Sequence, residues 1–201
     1  MNFLAHIYLS NNLKNVAIGN FIADGIRGKQ YLKYSKEIQI GILLHREIDT
    51  FTDAHPIFRQ STKKLHKNYG HYSGIIVDIF YDHFLAKNWT TYSKIPLAIF
   101  VQDFYQLLEE NFHILPQKTQ HMVPFMMQHN WLLNYAHVQG IQQVLNGMNK
   151  RTGYKSNMHL ATTELLEHYS KFELEFTSFF EELRIFAAQA LTRLLANYSF
   201  K

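Results

Sequence analysis

The residues that could do chemistry are acidic and imidazole side chains within the first 84 positions. Two carboxylates, Asp78 and Asp82, are four residues apart in the apolar segment 73–88. Helical spacing makes them neighbours on one face, and the apolar side chains around them predict a buried helix. Two buried carboxylates repel, so they need a buried Arg or Lys, a shared proton or a bound cation. Capping of, or pairing with, neighbouring helices is the structural alternative.

A second pair, His45 and Asp49, has the same spacing. The stripe that carries this pair also carries Ile38, Gly41 and Ile42, so the pair is expected to point inward. A histidine and a carboxylate one helical turn apart can both ligate one ion. The alternative is a structural His–Asp hydrogen bond at a helix crossing.

Two further residues could join such a site. Asp24 lies near the end of a predicted helix over 16–26, where a carboxylate opposes the helix dipole and favours a nearby cation, although an Asp-Gly turn is an ordinary alternative. His6 lies beside the apolar face of the first helix and is either a core histidine or part of the site. The chain has no cysteine, so any metal must be held by nitrogen and oxygen ligands. The predicted ligand pool consists of Asp24, His45, Asp49, Asp78 and Asp82.

Helices must position these residues. The chain has 4 Pro and 9 Gly in 201 residues, and its apolar residues recur with helical period throughout. We therefore predict an all-α, single-domain helical bundle over 1–201, with Asn2 capping the first helix and Pro116 and Pro124 interrupting the middle of the chain. The other predicted helices are 16–26, 35–51, 55–69, 73–88, 95–112, 141–148 and 159–198, the last with a break near Ser170.

Charge and composition restrict the partners. The net charge of +4 favours an anionic partner, but lacks the dense basic stripe of a nucleic-acid binder. A small basic run (Lys63, Lys64 and Lys67) could receive an acidic partner or could be a solvated helix face. The N-terminal segment does not read as a signal peptide, and no stretch approaches a membrane span. A cytoplasmic protein that binds neither membrane nor nucleic acid is expected.

Five blocks of sequence occur together in a known order: MNFLAH at 1–6, GNFIADGIRG at 19–28, HREIDTFTD at 45–53, DIFYDHFLAKNW at 78–89 and VLNGMNKR at 144–151. With these blocks the chain resembles the acyl carrier protein phosphodiesterase family, which is similar to the HD-type phosphohydrolases. The resemblance implies an HD-phosphohydrolase-like helical fold and release of 4′-phosphopantetheine from holo acyl carrier protein. It also implies a divalent cofactor, preferably Mn²⁺, and the predicted ligands would suit Mg²⁺ or Fe²⁺ as well.

That reaction suggests further roles. His83 and His6 are candidates to protonate the leaving serine oxygen. Arg46 and Arg27 could clamp the phosphate with their guanidinium groups, or could form exposed ion pairs. The sequence runs Asp82-His83, the reverse of the His-Asp pair that names the HD enzymes, which leaves the division between ligands and proton donors open.

Two other functions are compatible with the same residues. One is a different HD-like phosphohydrolase acting on nucleotides, although no Walker A or G-x-G-x-x-G motif is present. The other is a non-enzymatic helical binding protein for acidic partners or RNA, which would hold no tight metal.

Overall fold

A computed structural model describes residues 1–199. Its regular structure in this range consists of twelve α-helices and five short 3₁₀ segments, with no β-strand. This confirms the all-α prediction. The helices are α1 Phe3–Tyr8, α2 Lys14–Ile22, α3 Lys36–Ala54, α4 Pro56–Tyr69, α5 Ser73–Lys87, α6 Trp89–Tyr92, α7 Leu97–Glu110, α8 Gln117–Gln128, α9 Trp131–Asn134, α10 Val138–Arg151, α11 Thr162–Glu167 and α12 Tyr169–Ser199.

The central element is α5, as its apolar sequence predicts. It packs against α1, α4, α10 and α12 and is buried on nearly every side. The long helix α12 covers it with fully buried aromatic rings. Phe176 stacks on Phe180 with ring centroids 5.0 Å apart and meets Tyr81 of α5 edge-on. Each such ring contributes about 1.5–3 kcal/mol by leaving water, so the high aromatic content serves the core.

The crossing of α2 and α3 is unusually close because glycines meet there. A β-carbon built on Gly41 would overlap the backbone oxygen of Val16 and stand 2.9 Å from the Cα of Gly19. One built on Gly19 would overlap the backbone oxygen of Ile38. The two helix backbones are therefore in direct contact, one turn before His45 and next to Asn20.

The N-terminus of α1 is capped from another helix. Asn2 makes no capping hydrogen bond; instead its side chain donates to the hydroxyl of Tyr135 over 3.2 Å. The fully buried carboxylate of Asp82 accepts the backbone N–H groups of Leu4 (2.7 Å) and Ala5 (3.2 Å). Asn2 occupies the predicted N-cap position, but its side chain does not cap the helix, because a carboxylate 78 positions away from Leu4 satisfies the free N–H groups.

Some predicted boundaries also differ. The second helix ends at Ile22, since Ala23–Gly25 form a 3₁₀ turn and Ile26 is extended. Pro124 does not interrupt the chain but lies inside α8. Its exposed position leaves the helix carbonyl that it cannot pair open to water. The last long run breaks at His168, between α11 and α12, close to the predicted Ser170.

Within residues 1–199, no helix combines the length and apolar character that a membrane crossing requires.

Candidate metal centre

Three of the sequence's acidic and imidazole groups converge between α1 and α3. Nε2 of His6 lies 3.2 Å from Oδ1 of Asp49, and Nε2 of His45 lies 3.0 Å from Oδ2 of the same carboxylate. The two imidazole rings stack with centroids 4.0 Å apart. One ligand atom from each residue lies within 4.8 Å of the others, so His6, His45 and Asp49 could hold a metal ion. His45 and Asp49 contact each other, as their spacing predicts. Their role as ligands stays a prediction, and so does the role of His6 as a proton donor, which the structure places beside them.

The far side of each ring contacts one residue that the sequence reading missed. Nδ1 of His6 lies 2.7 Å from Oδ1 of Asn20, and Nδ1 of His45 lies 2.9 Å from the backbone oxygen of Asn20. Both oxygens act as acceptors, so each Nδ1 donates its proton to Asn20. The Nε2 atoms are therefore the ring nitrogens directed at the carboxylates. A polar residue beside Gly19 in the otherwise apolar stretch 16–23 was the available signal.

This donor set fits a divalent cation. A neutral imidazole protonated on Nδ1 presents a lone pair at Nε2, and lone pairs that face carboxylate oxygens need a proton or a metal between them. Burial opposes a charge on His45, but hydrogen bonds with Asp24 and Asp49 outweigh it and raise its pKa to about 9. Burial and the neighbouring His45 lower the pKa of His6 to about 4. A proton thus occupies the position on His45 that a metal would take.

His45 also lowers the pKa values of two carboxylates, Asp49 and Asp24. Despite burial, the adjacent imidazoles of His45 and His6 hold the pKa of Asp49 well below its usual range. Asp24 follows α2 in the 3₁₀ turn, with its side chain 75% exposed and Oδ1 3.2 Å from Nε2 of His45. The hydrogen bond with His45 lowers the pKa of Asp24. The structure therefore brings Asp24 beside the three-residue group, open to solvent.

The α5 carboxylates are compensated in ways that the sequence did not suggest. Oδ1 of Asp78 lies 2.9 Å from the backbone amine of Met1, and burial raises the pKa of Asp78 to about 6 against the opposing effect of that amine. Asp82 is compensated by the backbone N–H groups of α1, although burial still raises its pKa to about 7. Neither belongs to the three-residue group. Asp78 lines the same cleft as Asp49, whereas Asp82 lies beneath α1.

His83 is held elsewhere in the core. Its Nδ1 donates to the backbone oxygen of Tyr135 over 2.7 Å, and its Nε2 lies 2.7 Å from the hydroxyl of Tyr169. Burial lowers the pKa of His83, which keeps the ring neutral. Both ring nitrogens have partners and the ring does not line the cleft, so the structure does not join His83 to the other predicted site residues.

A cleft of about 490 Å³ opens beside the metal-binding group. One part of its wall carries Asp24, Asp49, Asp53 and Asp78. The remainder combines apolar side chains with two exposed cations, and these lining residues include Phe3, Phe21, Ile75, Met122, Trp131, Met148, Lys118 and Arg151. The lining of the cleft therefore combines carboxylates, apolar side chains and two cations.

The predicted phosphate-binding arginines are not among the residues that line this cleft. Arg46 donates to the backbone oxygens of Ile26 (3.0 Å) and Gly28 (2.9 Å) and lies over the ring of Tyr31. It holds the loop after Asp24, which explains its position better than an ion pair with a neighbouring glutamate. Arg27 is exposed on that loop. The cations on the cleft wall come from α8 and α10.

The basic run on α4 is only partly available to a partner. Lys64 is half-buried, pairs with Glu175 and lies 5.5 Å from the centre of the Phe172 ring. Lys63 and Lys67 are exposed. Lys64 therefore joins α4 to α12, because it lies on the side of α4 that faces the core.

Comparison with known proteins identifies the family of this chain. The model of the acyl carrier protein phosphodiesterase family matches residues 1–183. A protein of Photorhabdus laumondii named acyl carrier protein phosphodiesterase is 34% identical over 184 residues, which cover 90% of this chain and 91% of that protein. Proteins of the same name from Pectobacterium atrosepticum and Salmonella paratyphi A are each 30% identical, covering 91% and 94% of this chain and 95% and 98% of theirs. No solved structure matches significantly, so the predicted HD-like fold remains a prediction. The chain belongs to the acyl carrier protein phosphodiesterase family of hydrolases.

Proposed function

We propose that this chain is a metal-dependent phosphodiester hydrolase that releases 4′-phosphopantetheine from holo acyl carrier protein. The observation that carries the proposal is the convergence of Nε2 of His6 and Nε2 of His45 on the Asp49 carboxylate, which lines a cleft that also contains Lys118 and Arg151. Family membership supplies the substrate class, since the relatives are named for this carrier.

We propose that His6, His45, Asp49 and Asp24 hold the cofactor. Their imidazole nitrogens and carboxylate oxygens suit Mn²⁺, with Mg²⁺ or Fe²⁺ as alternatives. When bound, such an ion would supply Lewis acidity toward the phosphoryl oxygens and would lower the pKa of a water molecule. Because the ligands must be deprotonated, binding has to displace the proton of His45, so affinity should rise with pH.

Asp78 is the best candidate to carry a proton in the cleft. Its pKa of about 6 lets the carboxyl hold a proton in part of the molecules near neutral pH, as an acid that protonates a leaving serine oxygen must do. Its position on the cleft wall, next to Asp49 but outside the three-residue group, is compatible with that role. Asp82 and His83 are proposed to act structurally, since hydrogen bonds within the core engage them.

Lys118 and Arg151 are proposed to bind the phosphate. Both are exposed cations on the cleft wall, and a guanidinium matches phosphate oxygens in two parallel hydrogen bonds. Arg46 would act indirectly, by holding the loop that follows Asp24. The net charge of +4 and the exposed Lys63 and Lys67 favour encounter with an acidic carrier.

Mass spectrometry of the carrier tests the proposal. Purified chain is incubated with holo acyl carrier protein and Mn²⁺, and in parallel with EDTA. Loss of the phosphopantetheine mass is expected only with metal. Asp49→Asn should abolish the conversion, whereas Asp103→Asn, on the exposed face of α7, should retain it. An unmodified carrier after incubation with freshly added Mn²⁺ would overturn the proposed reaction.

A further inference from the structure

Asn20 touches both histidines of the candidate metal centre through different atoms. Its side-chain oxygen accepts from Nδ1 of His6, and its backbone oxygen accepts from Nδ1 of His45. The residue is fully buried on α2, near the end of the helix where the last carbonyl groups lack partners within the helix. This free carbonyl is the group that His45 uses.

The orientation of the Asn20 amide is fixed by its other contacts. Nδ2 lies 2.7 Å from the backbone oxygen of His6 and 3.1 Å from Oγ of Ser10. A carbonyl oxygen can only accept, so the amide NH₂ must face it and the amide oxygen must face the imidazole of His6. Nδ1 of His6 therefore has to carry a proton. When the ring is neutral, its lone pair then lies on Nε2, which is 3.1 Å from the backbone oxygen of Met1 and 3.2 Å from Oδ1 of Asp49.

The backbone of Asn20 is fixed as well. Gly19 and Gly41 bring α2 against α3, and a β-carbon at Gly41 would stand 2.8 Å from the backbone nitrogen of Asn20. This contact places the carbonyl of Asn20 within reach of His45, one turn after Gly41. One residue thus sets the ring orientation on both helices that supply the group.

We propose that Asn20 is a positioning residue. Its side-chain oxygen fixes the Nδ1-protonated form of His6 and its backbone oxygen holds Nδ1 of His45, so that Nε2 of each histidine is presented to the metal ion. The inference rests on the proposed metal dependence. Partners that hold the second nitrogen of a metal-binding histidine change metal affinity by roughly 10- to 100-fold when they are removed. In Asn20→Ala, the backbone oxygen still accepts from His45, while His6 loses its side-chain acceptor. The substitution should therefore change the protonation of the His6 ring alone.

The protonation state of His6 gives a readout that needs neither metal nor turnover. Long-range ¹H–¹⁵N NMR spectra of histidine-labelled, metal-free protein at about pH 8 identify which ring nitrogen carries hydrogen. The wild type should show His6 protonated on Nδ1, and Asn20→Ala should show a mixture with the Nε2 form. Asn20→Asp retains an acceptor oxygen and should keep the Nδ1 form, even if the buried charge lowers stability. A wild-type His6 protonated on Nε2 would overturn the proposal, whatever the variants do.

Mn²⁺ affinity, followed by electron paramagnetic resonance, provides the second readout. Asn20→Ala should bind roughly 10- to 100-fold more weakly than the wild type, and Asn20→Asp should lose less. Ser10→Ala is the matched control, because it removes a buried hydrogen bond to the same amide and one to the backbone oxygen of His6, but leaves the bond between Asn20 and the His6 ring in place. Thermal unfolding of all three variants shows whether affinity merely follows stability, which would contradict the positioning role. A chain that binds Mn²⁺ with the expected His6 form and yet leaves the carrier intact would overturn the proposed function alone.

Discussion

Gly41 of α3 lies against Gly19 of α2 so closely that a β-carbon on Gly41 would stand 2.9 Å from the Cα of Gly19. The site depends on this contact, since His45 follows Gly41 by one helical turn and reaches the carbonyl of Asn20, the neighbour of Gly19. The spacing between two helix backbones therefore determines where one of the proposed ligands lies.

Gly41→Ala should force α2 and α3 apart. The added methyl group would overlap the backbone oxygen of Val16, which cannot move without its helix. Overpacking of this kind costs roughly 1–3 kcal/mol, and we expect Mn²⁺ affinity to fall together with the free energy of unfolding. Gly74→Ala on α5 is the matched control, because a β-carbon there would meet no atom within 4 Å. It should be neutral or stabilising by up to about 1 kcal/mol. Urea unfolding of both variants checks this, and equal effects would contradict the close-contact argument.

Local spacing predicted only the part of the site that lies within one helix. His45 and Asp49 share a face of α3 because helical geometry alone places them there, so their pairing was predictable. His6 was a candidate for the site, but spacing could not place it beside Asp49, since its position depends on how α1 packs against α2 and α5. Asn20 contacts His45 through its backbone oxygen, which every residue type has, so the sequence alone could not indicate this contact. Lys118 lies nearly seventy positions after Asp49, and only the tertiary fold brings it to the same cleft.

For the α5 carboxylates, Asp78 and Asp82, the sequence predicted the need for compensating groups but not which groups supply it. Their spacing correctly indicated that two buried charges need compensation. The compensating groups are the amine of Met1 and the N–H groups of Leu4 and Ala5. All of these belong to the backbone and come from the first five residues of the chain, so the side-chain pattern of α5 could not identify them.

Asp49 should matter more to metal binding than Asp24. Asp49 contacts both imidazoles, with one oxygen directed at each, whereas Asp24 contacts only His45 and is largely exposed. We expect Asp49→Asn to weaken Mn²⁺ binding by more than about 100-fold, beyond the range for partners that only orient ligands. Asp24→Asn should lose less. Isothermal titration with Mn²⁺ measures both, and a larger loss for Asp24→Asn would contradict the central position of Asp49.

His83 should govern stability at acidic pH rather than metal binding. Its pKa is lowered in the folded chain by burial, while in the unfolded chain it titrates near 6.5. Below about pH 6.5 the unfolded chain takes up a proton that the folded chain does not, so the free energy of unfolding falls as pH falls. The slope for one group is at most about 1.4 kcal/mol per pH unit. Above that pH the group is neutral in both states and contributes no slope.

His83→Gln isolates this effect, because glutamine has polar atoms but does not titrate. The difference in unfolding free energy between wild type and variant, measured by urea titration from pH 7.5 to 5, should shift in favour of the variant on acidification. Mn²⁺ affinity of the variant should equal that of the wild type. A constant difference across the pH range would refute the lowered pKa, and weakened metal binding would place His83 in the site after all.

Variants of Arg151 and Arg27 can test whether the phosphate binds in the cleft seen in the structure or at the arginine suggested by the sequence. Arg151 ends α10 on the cleft wall, whereas Arg27 lies exposed on the loop after Asp24 and does not line the cleft. A charged hydrogen bond to phosphate contributes about 1.5–3 kcal/mol, so Arg151→Ala should raise KM for holo acyl carrier protein by roughly tenfold or more. Arg27→Ala should leave it unchanged, since removal of a solvated charge outside the cleft affects no contact with the phosphate. Steady-state kinetics across carrier concentrations measure KM for both variants. A rise in KM for Arg27→Ala alone would mean that the phosphate binds on the loop after α2 rather than against α10.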